Sequence, residues 1–238
     1  MILNGTAQSI MPTDLGDISR KYDVYVAPAG YAFSIWGLIY ALIGIYVVGA
    51  VIPQKCCCGL VLNENILVNR IKWFMPLNFL LNGVWLFLFM ADTVATYWIS
   101  ELVILGILAT AIYITKLASE EKLNPWEIIG LRIGFAIYAG WLTAATIVGI
   151  FIASSASGGL YGPDYETSTG IAALWIGCIF YAAVSIWTKN PVYGLALIWA
   201  YTAISIKQVD EDRSAVVTNI YVILGVFAVF LLVLTGLL

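Results

Sequence analysis

The chain contains no histidine in 238 residues, and only 11% of its residues are charged. The first absence removes the usual general base near neutral pH and the commonest metal ligand. Histidine-ligated haem, chlorophyll and zinc sites are thereby set aside. The second absence removes the solvated surface of a soluble domain, in which about a quarter of residues are charged. There are only 4 cysteines, of which Cys56, Cys57 and Cys58 are consecutive, so no disulfide framework is implied. Three adjacent thiolates cannot surround one zinc ion by themselves. Basic residues number 11 against 14 acidic ones, and the isoelectric point is near 4.8, which leaves no footprint for nucleic acid. A soluble enzyme domain is excluded, and no catalytic centre or metal site is expected.

What the chain has instead is apolar length. Hydrophobic residues make up 62%, and the mean hydropathy is +0.94. Runs suited to crossing hydrocarbon, which needs about 20 apolar residues, cover 31–52, 73–91, 97–118, 133–153, 170–188, 191–206 and 215–238. None alternates with period two, so a β-barrel is disfavoured. Helices satisfy their own backbone polar groups, and the expected fold is an all-α, multi-pass transmembrane bundle of about seven spans. The count falls to six if the short run 191–206 does not span. Lys189 and Asn190 alone separate that run from the one before, which predicts a tight helical hairpin starting at Pro191. Lys55, Arg70, Lys72, Lys116, Lys122, Arg132 and Lys189 outnumber the basic residues of the opposite connections. The positive-inside rule then places 53–72, 119–132 and 189–190 on the cytoplasmic side or its organellar equivalent.

The spans hold almost no charge. Glu101 and Lys116 lie near span ends and read as interfacial groups that snorkel to the headgroups. Pumps, voltage sensors and proton-coupled carriers are disfavoured by this poverty. No lysine lies mid-span to form a retinal Schiff base. The three loop cysteines are palmitoylation candidates or equally free thiols, and Cys178 reads as a small packing residue. Two stretches, Leu108–Tyr113–Lys116 and Leu197–Tyr201–Lys207, fit a loose sterol-contact pattern of little weight.

Aromatic placement is more informative. Trp73, Trp98, Trp126 and Trp187 fall at span edges, as in an interfacial belt. Trp36, Trp85, Trp141, Trp175 and Trp199 fall inside spans and need a partner or a ligand face. Three stripes follow helical spacing: Phe33, Trp36 and Tyr40; Asn78, Asn82, Trp85 and Phe89; Tyr138, Trp141, Ala145 and Gly149. An asparagine in hydrocarbon needs a partner, so the second stripe should face protein or a cavity. Gly130/Gly134 and Ala196/Ala200 permit close helix approach. On spacing alone such stripes are packing seams more often than pockets, which are few per protein.

The run Pro28-Ala29-Gly30-Tyr31-Ala32-Phe33-Ser34-Ile35-Trp36-Gly37-Leu38-Ile39-Tyr40 resembles the proline-led motif of the tryptophan-rich sensory protein or translocator protein (TspO/MBR) family. Asn82-Gly83-Val84-Trp85 with Phe87 and Phe89, then Tyr138-Ala139-Gly140-Trp141 with Ala145, are similar to two further helices of that family, in its order. The matches span 28–151. The resemblance implies a receptor-like membrane protein that binds a hydrophobic planar molecule of the porphyrin or sterol class. It further implies that Trp36, Trp85 and Trp141 stack on the ligand with Phe33 and Ala145 beside them. Tyr40, Asn82 and Tyr138 would offer hydrogen bonds. A tetrapyrrole held this way would carry no histidine-ligated metal.

Compact members of the family place a whole helix before the proline motif, whereas 27 mostly polar residues precede Pro28 here. The chain also continues for three more spans, as in a long variant, and has Gly149 where asparagine is frequent. The expected organisation is an extramembrane arm, 1–27, a TspO/MBR-like region of four helices, 28–153, and additional membrane helices, 154–238. Two other functions stay open. One is a structural or accessory subunit of a larger membrane complex, homo-oligomers included. The other is a carrier for a small uncharged solute, although Pro76, Pro125 and Pro191 lie at span starts and not mid-membrane.

Overall fold

The computed structural model describes residues 17–18, 21–51, 70–159 and 162–238. Seven long helices are found among them and no strand. A 3₁₀ turn, Gly30–Ser34, leads into α1 (Ile35–Val51), followed by α2 (Phe74–Met90) and α3 (Val94–Glu120). Next come α4 (Phe135–Ala156), α5 (Pro163–Thr188), α6 (Val192–Asp210) and α7 (Ser214–Leu237). Six of the helical stretches have the length and apolar composition to cross a membrane, and α2, with 17 residues, is a shorter apolar helix. The chain is a multi-pass integral membrane protein. Its predicted segments all recur as helices.

Helix ends follow local chemistry. Thr93 starts α3 with a reciprocal capping box, its side chain accepting from the Thr96 N–H and the Thr96 side chain bonding back. Asn124 and Glu127 make the same arrangement one loop later. That cap moves the start of the fourth span from the expected 133 out to Pro125, where the missing proline N–H needs no partner. Between this first turn and α4 the chain runs as a π-helix, Ile128–Gly134. There Gly130 lies against Tyr46, and a Cβ at Gly134 would press on Leu42 at 3.1 Å, so both glycines admit α1 to close contact. The Arg132 guanidinium caps the end of α3 by donating to the Ala118 and Glu121 carbonyls. The α5–α6 hairpin turns at Lys189, which adopts φ 52°. Asn190 locks it, accepting from the Val192 N–H and donating to the Arg132 carbonyl at 2.8 Å. Pro191 is the cap of α6 and not its first residue.

α4 sits at the centre. The helical stretch that contains it, Pro125–Ala156, is 72% buried over its apolar window, against 28% for α7. α3 and α6 flank it, α2 packs on α3, and α5 and α7 complete the C-terminal side. Close approach to α6 depends on Gly140, where a Cβ would lie 2.5 Å from both the Ala196 Cβ and the Tyr193 carbonyl oxygen. Around that crossing Tyr181, Tyr193 and Tyr201 are wholly enclosed. Tyr181 donates to the Gly140 carbonyl at 2.5 Å, Tyr201 donates to the Leu174 carbonyl at 2.7 Å, and Tyr193 pairs with Thr143 at 2.5 Å. The second sterol-contact stretch is therefore internal: Tyr201 is buried, and Lys207 pairs with Asp23 at 2.9 Å.

Residues 21–29 form a strap over the ends of α6 and α7. Val24, Val26 and Ala27 are buried. The Ala29 N–H donates to the Ala203 carbonyl at 3.0 Å, and the Trp199 indole donates to the Ala32 carbonyl at 3.0 Å. Asp23 receives Lys207 and Arg213, whose guanidinium also stacks 3.9 Å from the Tyr25 ring centre. Burial pushes the Asp23 carboxyl upward, but hydrogen bonds from Arg213 and Lys207 outweigh it and hold it below the usual carboxylate range. Trp175, the other intramembrane indole outside the matched motifs, donates to Asn219 on α7 at 3.1 Å. The cysteine cluster at 56–58 lies outside the described residues.

Candidate functional site

Where the 3₁₀ turn and α1 meet α2, α3, α4 and α6, the bundle leaves a partly enclosed cleft of about 60 Å³. Trp36 enters from α1, Trp85 from α2 and Trp141 from α4. These are the three tryptophans of the matched motifs, delivered by three helices to one cleft. Phe33 closes on Trp141 edge to face, with ring centres 5.9 Å apart. Phe89 stacks on Trp85 at 5.6 Å, an i, i+4 pair on one helix face. Ala145, Val148 and Gly149 line the α4 wall, and Ala200 and Ile204 of α6 line another. Small residues at 145, 149 and 200 leave room that bulky neighbours would fill.

Five of the eight expected contact residues, Phe33, Trp36, Trp85, Trp141 and Ala145, line this cleft; Tyr40, Asn82 and Tyr138 do not. These three sit together behind the wall. Asn82 donates to the Tyr138 hydroxyl at 3.0 Å, so the two polar side chains satisfy one another. Trp36 stacks on Tyr40 at 5.5 Å and lies 5.9 Å from Tyr138. The group therefore buttresses the indole of Trp36 from the side away from the void. The Asn78 amide also faces protein, donating to the Ile107 carbonyl and Thr110 hydroxyl at 2.9 and 2.7 Å.

Glu101 corrects its sequence reading. It does not snorkel: the residue is 5% exposed and lines the cleft. Two helical turns into α3, it points inward across α4, because Gly149 supplies no Cβ; one there would collide with the carboxylate. Neither carboxylate oxygen has a hydrogen-bond partner. The indole N–H of Trp85, in a residue 6% exposed, is likewise without a partner. Two of the residues that line the cleft, Glu101 and Trp85, thus carry buried polar atoms without partners. Leaving such groups unpaired in a dry interior is costly. Glu101, Pro28, Ala200 and Ile204 were not expected here. The last two lie on a helix beyond the matched motifs, and inward direction at Glu101 depends on a glycine 48 positions later, which no local pattern reveals.

A family model described as TSPO-like protein matches residues 1–235. No curated protein and no solved structure matches the chain.

Proposed function

The chain belongs to the TSPO-like protein family, and on that footing we propose that it is a receptor-like membrane protein. Its ligand is a hydrophobic, planar small molecule of the porphyrin or sterol class, held between Trp36, Trp85 and Trp141. The observation that carries this reading is the convergence of those indoles, from three helices, on a void and not on each other. Aromatic faces offer large apolar area at small entropic cost, which suits a flat ligand. Among the described residues the lining is apolar apart from Glu101, which suits binding of an apolar molecule.

The volume sharpens the proposal. Sites that enclose drug-sized ligands span about 300–1,000 Å³, whereas this cleft offers about 60 Å³ as the helices stand. It seats one ring. A whole tetrapyrrole or sterol enters only if Phe33 and Trp36, which are half-buried at the mouth of α1, swing outward.

Titration of the purified protein with protoporphyrin tests this reading. Tryptophan fluorescence should be quenched saturably, and Trp141→Ala should weaken the apparent affinity about tenfold or more, as expected for a central aromatic contact. Equal quenching in parent and variant removes the pocket from consideration.

A further inference from the structure

Resting on that pocket reading, we propose that Glu101 is the polar anchor of the site and that, among hydrophobic planar molecules, it favours one that carries an ammonium or N–H group. The ammonium or N–H of such a molecule lies against the Glu101 carboxylate, and its ring stacks among the indoles.

Three observations carry this. First, among the described residues Glu101 is the one charged residue lining the cleft, it is enclosed, and both carboxylate oxygens lack partners. A buried carboxylate is strongly disfavoured unless it is neutralised or meets a cation, and an ammonium is the partner its two acceptor oxygens fit. Second, three indoles line the same cleft as Glu101, and indoles are the side chains that attract cations best. Third, Gly149 keeps open the space that the carboxylate occupies. Any side chain at 149 would push Glu101 away from its position. The unpartnered Trp85 N–H adds a second demand: a ligand with an acceptor atom beside its ring gains a further bond. By the same argument an acid-bearing ligand, protoporphyrin included, is accepted only with its carboxylates directed away from Glu101.

The test uses one skeleton with three head groups: 2-naphthylmethylamine, 2-naphthylmethanol and 2-naphthoate. Each is titrated against the full chain in detergent, with tryptophan quenching as the readout and Trp141→Ala as the control for partition into micelles. In the parent, the amine should bind about tenfold more tightly than the alcohol, the scale of a charge-assisted hydrogen bond, and the naphthoate most weakly. Glu101→Gln keeps the size and removes the charge. It should abolish the preference for amine over alcohol. Equal affinities for amine and alcohol in the parent, or an amine preference that survives in Glu101→Gln, overturn the assignment of Glu101 while leaving the pocket standing. If none of the three probes binds in a manner sensitive to Trp141→Ala, both the pocket and its anchor are overturned.

Discussion

Two aromatic clusters flank α4, and they are built on opposite rules. On the α6–α5–α7 side, Tyr181, Tyr193 and Tyr201 are fully enclosed, and every hydroxyl has a partner. Phe227 closes the group, 6.4 Å from Tyr181. On the α1–α2–α3 side, Trp36, Trp85 and Trp141 surround a void, and a carboxylate and an indole N–H beside it are unsatisfied. Aromatic content is similar in kind, so richness in rings does not distinguish a seam from a site. Unmet hydrogen bonding beside open volume does. A packing seam gains stability by satisfying its polar groups; a binding site keeps some unmet for the ligand.

The largest test of this contrast is Tyr181→Ala. It opens a cavity at the α4–α6 crossing and frees the Gly140 carbonyl, and should cost about 3–5 kcal/mol, the range for deleting a buried aromatic ring. Unfolding in mixed micelles by a denaturing detergent measures it. A loss below about 1 kcal/mol would mean that the tyrosine cluster is not the structural seam.

Glu101→Leu should act with the opposite sign. Removing an unpaired buried carboxylate in favour of an apolar side chain should stabilise the unliganded chain by about 1–3 kcal/mol. If this variant is destabilised as strongly as Tyr181→Ala, Glu101 is a packing element and the two clusters are alike.

The smallest effect lies outside both clusters, at the strap. The Asp23 carboxyl is held below its usual range, so its contribution to stability is present above the unfolded pKa and fades as pH falls through the folded one. Asp23→Asn should therefore flatten the loss of stability on acidification below about pH 4. The effect should be under about 1 kcal/mol near neutrality, because the pair is half exposed. A variant whose acid profile matches the parent would show that the strap is held by Val24 and Val26 and not by charge.

Much of this was legible in the sequence because hydrocarbon imposes a strong pattern. The seven segments and the hairpin at Lys189–Asn190 follow from apolar length and turn chemistry, whereas the gathering of Trp36, Trp85 and Trp141 was implied by the resemblance of their motifs to a family and not by helical spacing. Spacing places residues on one helix face, but it cannot say how that face is rotated against its neighbours. Tyr40, Asn82 and Tyr138 share stripes with the cleft residues and yet lie outside its lining, Asn82 donating to Tyr138 and Tyr40 stacking on Trp36. Glu101 shows the converse. Its depth along α3 suggested an interfacial charge, whereas its direction is set by Gly149 on another helix. The π-helix at Ile128–Gly134 was invisible for the same reason, since it accommodates Tyr46 and Leu42 of α1.

The α6 wall also sets a clock. The cleft is lined from Pro28 to Ile204, so when α1 to α4 have entered the bilayer the nascent chain holds its three indoles but lacks Ala200 and Ile204. The cleft is thus complete only once α6 docks on Gly140 and the strap at 21–29 fastens across it.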